Sequence, residues 1–132
     1  MPAEPTVVIN EVAASATPDW FELFNPGTAA VALAGWKFAD SATDFTKAAA
    51  FASGASVPAG GFLVVQVSTV KNGFGLGAGE SLTILRADGK PCDGVNWSKG
   101  NSPTGGSYAR VPDGTGPFVV SKQPTPGAPN QK

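Results

Sequence analysis

The sequence contains no histidine and a single cysteine, Cys92, among its 132 residues. One cysteine cannot form an internal disulfide, and without histidine the chain lacks the usual base that activates a serine or cysteine nucleophile. We therefore interpret Cys92 as a small strand residue rather than a reactive thiol. The same absences leave no histidine or cysteine set for zinc. We predict that the protein is not an enzyme and has no cofactor.

The sequence is also poor in charge and in long apolar runs. Only 14% of the residues are charged, and nine basic and ten acidic residues give a formal net charge of −1. This balance attracts polyanions weakly, so nucleic acid binding is not expected unless Lys71, Lys99, Arg110 and Lys122 converge on one face. No stretch approaches the roughly 18 apolar residues of a membrane span, and residues 1–5 lack the features of a signal peptide. We expect a monomer without a membrane span.

Turn-forming residues are abundant, because the chain contains 17 glycines and 12 prolines. They separate short apolar segments, and no helical period continues for more than two turns, which is typical of an all-β domain. The predicted strands are residues 6–12, 20–25, 30–33, 36–39, 62–67, 81–86, 92–97, 107–111 and 118–120. Residues 40–53 are predicted to form a long loop that contains one short strand. The run 62–67 is the most apolar and is predicted to be a central strand covered on both faces.

The order of several motifs resembles the lamin tail domain family in its bacterial form. The motifs that carry the resemblance are Ile9-Asn10-Glu11-Val12, Asp19-Trp20-Phe21-Glu22-Leu23-Phe24-Asn25, Leu33-Ala34-Gly35-Trp36, Ser107-Tyr108-Ala109-Arg110 and Thr125-Pro126-Gly127-Ala128-Pro129-Asn130. The resemblance implies an immunoglobulin-like β-sandwich of about seven to nine mostly antiparallel strands. It also implies a non-catalytic module that accompanies extracellular or cell-surface proteins. No heptad rod is present, so filament formation through a coiled coil is not carried over.

The domain organisation predicted from this resemblance has three parts. Residues 1–5 form an N-terminal extension, residues 6–121 form the lamin-tail-like sandwich, and residues 122–132 form a tail rich in proline and glycine. The tail has no strand-forming pattern, since proline cannot donate to a strand ladder.

Three carboxylates are the candidates for chemistry or metal binding. Glu11, Asp19 and Glu22 lie on or beside the two opening strands, where they could approach each other as a calcium site or a glycosidase pair requires. The alternative, which we favour, is that Glu11 and Glu22 accept hydrogen bonds from loop backbone while Asp19 starts a strand.

Aromatic residues next to a polar loop are the candidates for ligand binding. Trp97 and Tyr108 flank a loop that contains Lys99 and Asn101, and such rings can stack on a sugar or anchor a protein partner. The alternative is that both rings cover the end of the core. Trp20 and Trp36 belong to the strand motifs and are predicted to be core residues.

Two functions from different classes fit this sequence. The first is a binding module that targets a secreted or surface protein to a carbohydrate or protein partner, and it predicts an exposed pair of coplanar aromatic rings. The second is a structural domain that docks another protein through an uncovered edge strand, which we expect near residues 43–51.

Overall fold

The computed structural model describes residues 6–16, 18–67, 76 and 80–130. These residues form eleven strands, and every strand pair is antiparallel. The strands are β1 (Val8–Ala13), β2 (Trp20–Phe24), β3 (Val31–Ala32), β4 (Lys37–Ala39), β5 (Ala49–Ala50), β6 (Ser56–Val57), β7 (Phe62–Gln66), β8 (Glu80–Leu85), β9 (Pro91–Trp97), β10 (Ser107–Arg110) and β11 (Phe118–Ser121).

The strands form a sandwich of two main sheets. One sheet has five strands in the order β11-β10-β1-β2-β7, the other has four in the order β5-β4-β8-β9, and β3 pairs with β6. The predicted all-β sandwich is therefore confirmed. The structure has eleven strands rather than seven to nine, and three of them, β3, β5 and β6, are each only two residues long. The predicted short strand within residues 40–53 is β5, and the predicted hairpin of residues 81–97 is β8 and β9.

The core lies between the two main sheets and contains the inward side chains of β2. Phe21 and Leu23 are fully buried, whereas Trp20 and Phe24 are only half-buried on the opposite face. The ring of Phe21 packs edge-to-face on that of Phe38 from β4, with centroids 5.1 Å apart. This alternation follows from the two-residue period of a strand, and it is the pattern that the sequence predicts.

Strand β1 contains a bulge that places two consecutive polar residues outside the core. Ile9 pairs with Leu23 and Glu11 with Glu22, so Asn10 is an extra residue in β1. Because a bulge shifts the alternation by one residue, Ile9 and Val12 both point inward although three positions separate them. The outer face of β1 therefore carries both Asn10 and Glu11.

Two predictions about packing are wrong. The apolar run in β7 is not a central strand, since β7 lies at the end of the five-stranded sheet. Its outward Phe62 packs instead on Phe24 of β2, with ring centroids 5.3 Å apart. Trp20 is half-buried on the outer face, whereas Trp36 is a core residue as predicted. The pairing of the Phe24 and Phe62 rings explains why apolar residues occur on the outer face of this sheet.

Candidate functional site

Two acidic side chains face each other on the outer side of the five-stranded sheet. Glu11 of β1 and Glu22 of β2 are paired in the strand register, and both residues have 0% exposure. Buried carboxylates are costly unless hydrogen-bond donors surround them. The groups that donate hydrogen bonds to Glu11 and Glu22 therefore determine how these carboxylates are stabilised.

Glu11 accepts hydrogen bonds from two different parts of the chain. The Ser107 hydroxyl at the start of β10 donates to Glu11 Oε2 at 2.6 Å. The backbone N–H of Thr125 donates to the same oxygen at 3.0 Å, and the Thr125 hydroxyl donates to Oε1 at 3.1 Å. Thr125 belongs to residues 122–130, which we call the C-terminal segment. Glu11 thus joins this segment to β1 and β10.

Glu22 accepts one hydrogen bond at each carboxylate oxygen. The N–H of Gly127 donates to Oε2 at 2.6 Å, and the Asn10 amide donates to Oε1 at 3.1 Å. The pKa of Glu22 is raised to about 7, mainly by burial; the two hydrogen bonds lower the pKa in part, and the nearby charges of Glu11 and Asp113 contribute to raising it. The site therefore holds a carboxyl group that gains and loses its proton near neutral pH.

Asn130 completes the attachment of the C-terminal segment. Its backbone N–H donates to Asp113 Oδ1 at 2.9 Å, and its side-chain amide donates to the carbonyls of Asn10 at 2.9 Å and Arg110 at 2.8 Å. The Asn10 amide also donates to Asp113 Oδ1 at 3.0 Å. The segment that was predicted to be a tail without strands forms no strand among residues 122–130, but it packs on the outer face of the sheet.

Asp19, the third predicted carboxylate, has a separate role in the structure. It precedes β2, and its carboxylate accepts a hydrogen bond from the N–H of Leu76 at 2.7 Å. Within residues 6–16, 18–67, 76 and 80–130, no three Asp, Glu, His or Cys side chains are grouped closely enough to hold a metal ion. Glu11 and Glu22 are brought together and Asp19 is not part of their group, so the proposed metal role gains no geometric support.

The four residues predicted to bind a ligand are divided among three environments. Trp97 is 5% exposed and belongs to the core, whereas Tyr108 is half-buried in β10. Lys99 is exposed, and Asn101 accepts a hydrogen bond from the N–H of Ser98 in the turn after β9. The aromatic partner that the structure gives Tyr108 is Phe118 of β11, whose ring stacks on it at 5.1 Å with an interplanar angle of 22°.

Phe118 and its neighbours form a partly apolar edge that sequence reasoning missed. The guanidinium of Arg110 lies 4.5 Å from the centre of the Phe118 ring. Val120 is 43% exposed, and it is the one large hydrophobic residue that is exposed in the described part of the chain. These residues lie on β10 and β11, and β11 ends the five-stranded sheet. We call Tyr108, Arg110, Phe118 and Val120 the β11 edge.

The register of β10 and β11 determines which backbone groups face outward. The N–H of Val111 donates to the carbonyl of Pro117, and the pairing continues regularly to Ser107 and Ser121. Because hydrogen-bonded and non-hydrogen-bonded pairs alternate in an antiparallel ladder, Val119 points its backbone groups toward β10. The backbone N–H and C=O groups of Phe118 and Val120 therefore point away from the sheet.

Arg110 is fixed by contacts below this edge. Its Nε donates to the carbonyl of Ile9 at 3.0 Å, and its guanidinium lies 3.8 Å from the Asp93 carboxylate. Of the four cations considered for nucleic acid binding, Arg110 is thus engaged within the domain, and Lys71 lies outside the described residues.

Among the residues that the structure describes, no helix is long and apolar enough to cross a membrane.

Two antiparallel sheets packed face to face are the architecture of immunoglobulin-like β-sandwiches. A sequence profile of the lamin tail domain family matches residues 1–109, and the chain therefore belongs to the lamin tail domain family. Domains of this family are immunoglobulin-like and generally non-enzymatic modules. No curated protein matches the chain. The family match ends before the C-terminal segment, so its attachment is seen only in the structure.

Proposed function

We propose that this domain is a non-catalytic docking module of a secreted or surface protein, and that it binds an extended segment of a partner protein along β11. The observation that carries this proposal is the combination of outward backbone groups and apolar side chains at Phe118 and Val120. An extended peptide added to such an edge gains main-chain hydrogen bonds, and alternate side chains supply specificity. The proposed secreted or surface context rests on the extracellular and cell-surface proteins that bacterial domains of this family accompany.

The edges of the sandwich at β5 and β7 offer less for such pairing. The edge expected near residues 43–51 is β5, which is only two residues long and can pair with a partner over a very short distance. At the opposite end of the five-stranded sheet, β6 lies against β7. Strand β11 has four residues and carries the exposed Val120.

The chemistry around β11 favours a partner strand that carries an acidic residue. Lys122 follows β11 directly, and its side chain is exposed. A sugar is a less suitable ligand for this edge, since the Phe118 ring already contacts the Tyr108 ring and the Arg110 guanidinium. Both contacts reduce the ring surface on which a sugar could stack.

The test uses a phage-displayed library of random dodecapeptides selected against the wild-type protein. Recovered peptides are compared on two matched variants at one position. Val120→Pro removes the outward N–H without removing a bond to β10, whereas Val120→Thr keeps that N–H. We expect peptides that alternate apolar residues and carry an acid. Their affinity should fall about tenfold on Val120→Pro, as expected for the loss of one hydrogen bond and its packing, and change little on Val120→Thr.

Two results would overturn the proposal. One is a selection that yields no peptide enriched over the Val120→Pro protein. The other is a set of peptides that bind wild type and Val120→Pro equally. Amide spectra of β10 show whether each variant retains the sheet, so a folding defect is distinguishable from a lost contact.

A further inference from the structure

The C-terminal segment is attached by side chains of the sheet rather than by strand pairing. Its backbone N–H groups at Thr125, Gly127 and Asn130 donate to Glu11, Glu22 and Asp113 respectively. All three acceptors are carboxylates, and each lies at least 17 residues away along the chain. An attachment made of a few hydrogen bonds can open without unfolding the sandwich, because local opening costs less than global unfolding.

The surroundings of Glu22 make its charge unfavourable when the segment is closed. In the strand register, Glu22 lies between Glu11 of β1 and Val64 of β7. The Asn10 amide donates hydrogen bonds to both Glu22 and Asp113. The C-terminal segment brings the Gly127 N–H, and the single charged residue in the segment, Lys122, is exposed. The charged groups nearest Glu22 are therefore acidic, and its hydrogen bonds come from neutral donors.

We propose that the C-terminal segment is a latch over the outer face of β1 and β2, and that loss of the proton from Glu22 favours its opening. With the latch closed, Glu22 has 0% exposure and an ionised side chain loses its hydration. Opening admits water to Glu22, and this favours the ionised form by more than the loss of the Gly127 hydrogen bond disfavours it, since burial is the largest cause of the raised pKa. The closed latch therefore binds the proton more tightly than the open latch does. This inference is independent of peptide binding along β11.

The size of the effect follows from proton linkage. With a pKa of about 7 for the closed latch and the ordinary glutamate pKa of 4.5 for an open one, the opening equilibrium constant increases as pH rises. Between pH 6 and pH 8 the increase is about tenfold, and above pH 8 it levels off. The fraction of open latch should rise with pH, in the opposite direction to a carboxylate that forms a salt bridge.

Hydrogen exchange of the full-length chain measures this equilibrium. The protection factors of the Gly127 and Thr125 amides, corrected for the intrinsic exchange rate, should fall about tenfold from pH 6 to pH 8. In Glu22→Gln the same factors should not depend on pH. Asp88→Asn changes an exposed carboxylate in the β8–β9 turn and should keep the wild-type profile.

Direct titration of Glu22 keeps the test decisive if Glu22→Gln folds poorly. The carboxyl carbon of Glu22 should titrate in the wild-type protein with a midpoint near the value of about 7. A midpoint below pH 5.5, or Gly127 protection that is constant from pH 6 to pH 8, would contradict the latch. An identical fall in protection in Glu22→Gln would also overturn it.

Discussion

Glu11 lies opposite Glu22 in the β1–β2 register, and each carboxylate accepts a backbone N–H from the C-terminal segment. The donors are Thr125 and Gly127, which are two residues apart. Two adjacent strands therefore hold the segment at two points. The segment packs on the sheet and donates hydrogen bonds to two buried carboxylates there.

Removing the Glu11 carboxylate should destabilise the protein strongly. Glu11→Ala leaves the Thr125 N–H and the Ser107 hydroxyl without their acceptor, and we expect a loss of about 3 kcal/mol in the free energy of unfolding. Urea denaturation measures the change. Asp88→Asn, which keeps an oxygen acceptor in an exposed turn, serves as the control and should change stability by less than about 0.5 kcal/mol. A Glu11→Ala protein as stable as the control would show that these hydrogen bonds contribute little.

The stability of the whole domain should fall as pH rises from about 4.5 to 7. The pKa of Glu22 is raised from 4.5 to about 7 in the folded state, so the folded protein binds more protons than the unfolded chain across this window. The stabilisation is fully present below pH 4.5 and is lost by the time pH exceeds 7. The free energy of unfolding from urea titrations at several pH values tests this, and Glu22→Gln should reduce the slope. The pKa of Asp44 is lowered by hydrogen bonds from Thr46, and it therefore titrates below this window.

Gly114 should tolerate no side chain, whereas Gly89 should tolerate one at modest cost. Both have positive φ, at 72° and 84°, but a Cβ at Gly114 would lie 2.6 Å from the Phe24 ring while a Cβ at Gly89 meets nothing within 4 Å. Gly114→Ala should lose about 3 kcal/mol, because backbone strain and a clash add, and Gly89→Ala about 1 kcal/mol. Thermal unfolding of the two variants gives the comparison. Equal losses would mean that backbone strain alone determines both.

Replacing Trp97 should reduce the stability of the protein, whereas replacing Lys99 should not. Trp97 is in the core, so Trp97→Ala should lose about 3 to 5 kcal/mol of stability. Lys99 is exposed, and Lys99→Ala should leave stability within about 0.5 kcal/mol. Denaturant titration of both proteins decides the matter. A Trp97→Ala protein as stable as the wild type would contradict a core role for Trp97.

The sequence predicts those features that depend on neighbouring residues. The inward Phe21 and Leu23 follow from alternation along one strand, and the β8–β9 hairpin follows from local turn chemistry. The bulge at Asn10 is different, because it exists only relative to the register of β2. The edge position of β7 likewise depends on the order of strands in the sheet, which no local pattern contains.

The prediction that Glu11 and Glu22 accept hydrogen bonds from loop backbone agrees with the structure, but the sequence does not identify the C-terminal segment as that loop, for a related reason. The hydrogen bonds from Thr125 to Glu11 and from Asn130 to Asn10 join residues 114 and 120 positions apart. A signal was nevertheless present, since Asn10 and Glu11 interrupt an apolar strand and such polar pairs need partners once buried. The sequence does not indicate which loop supplies these hydrogen-bond partners.

The hydrogen bond from Asn130 to the Asn10 carbonyl fixes the last described residue beside β1 on the five-stranded sheet. At the other end of the described chain, the Thr6 hydroxyl accepts a hydrogen bond from Arg86, which follows β8 of the four-stranded sheet. A protein fused after residue 130 would therefore begin beside one sheet of the sandwich, and a protein fused at residue 6 would begin beside the other.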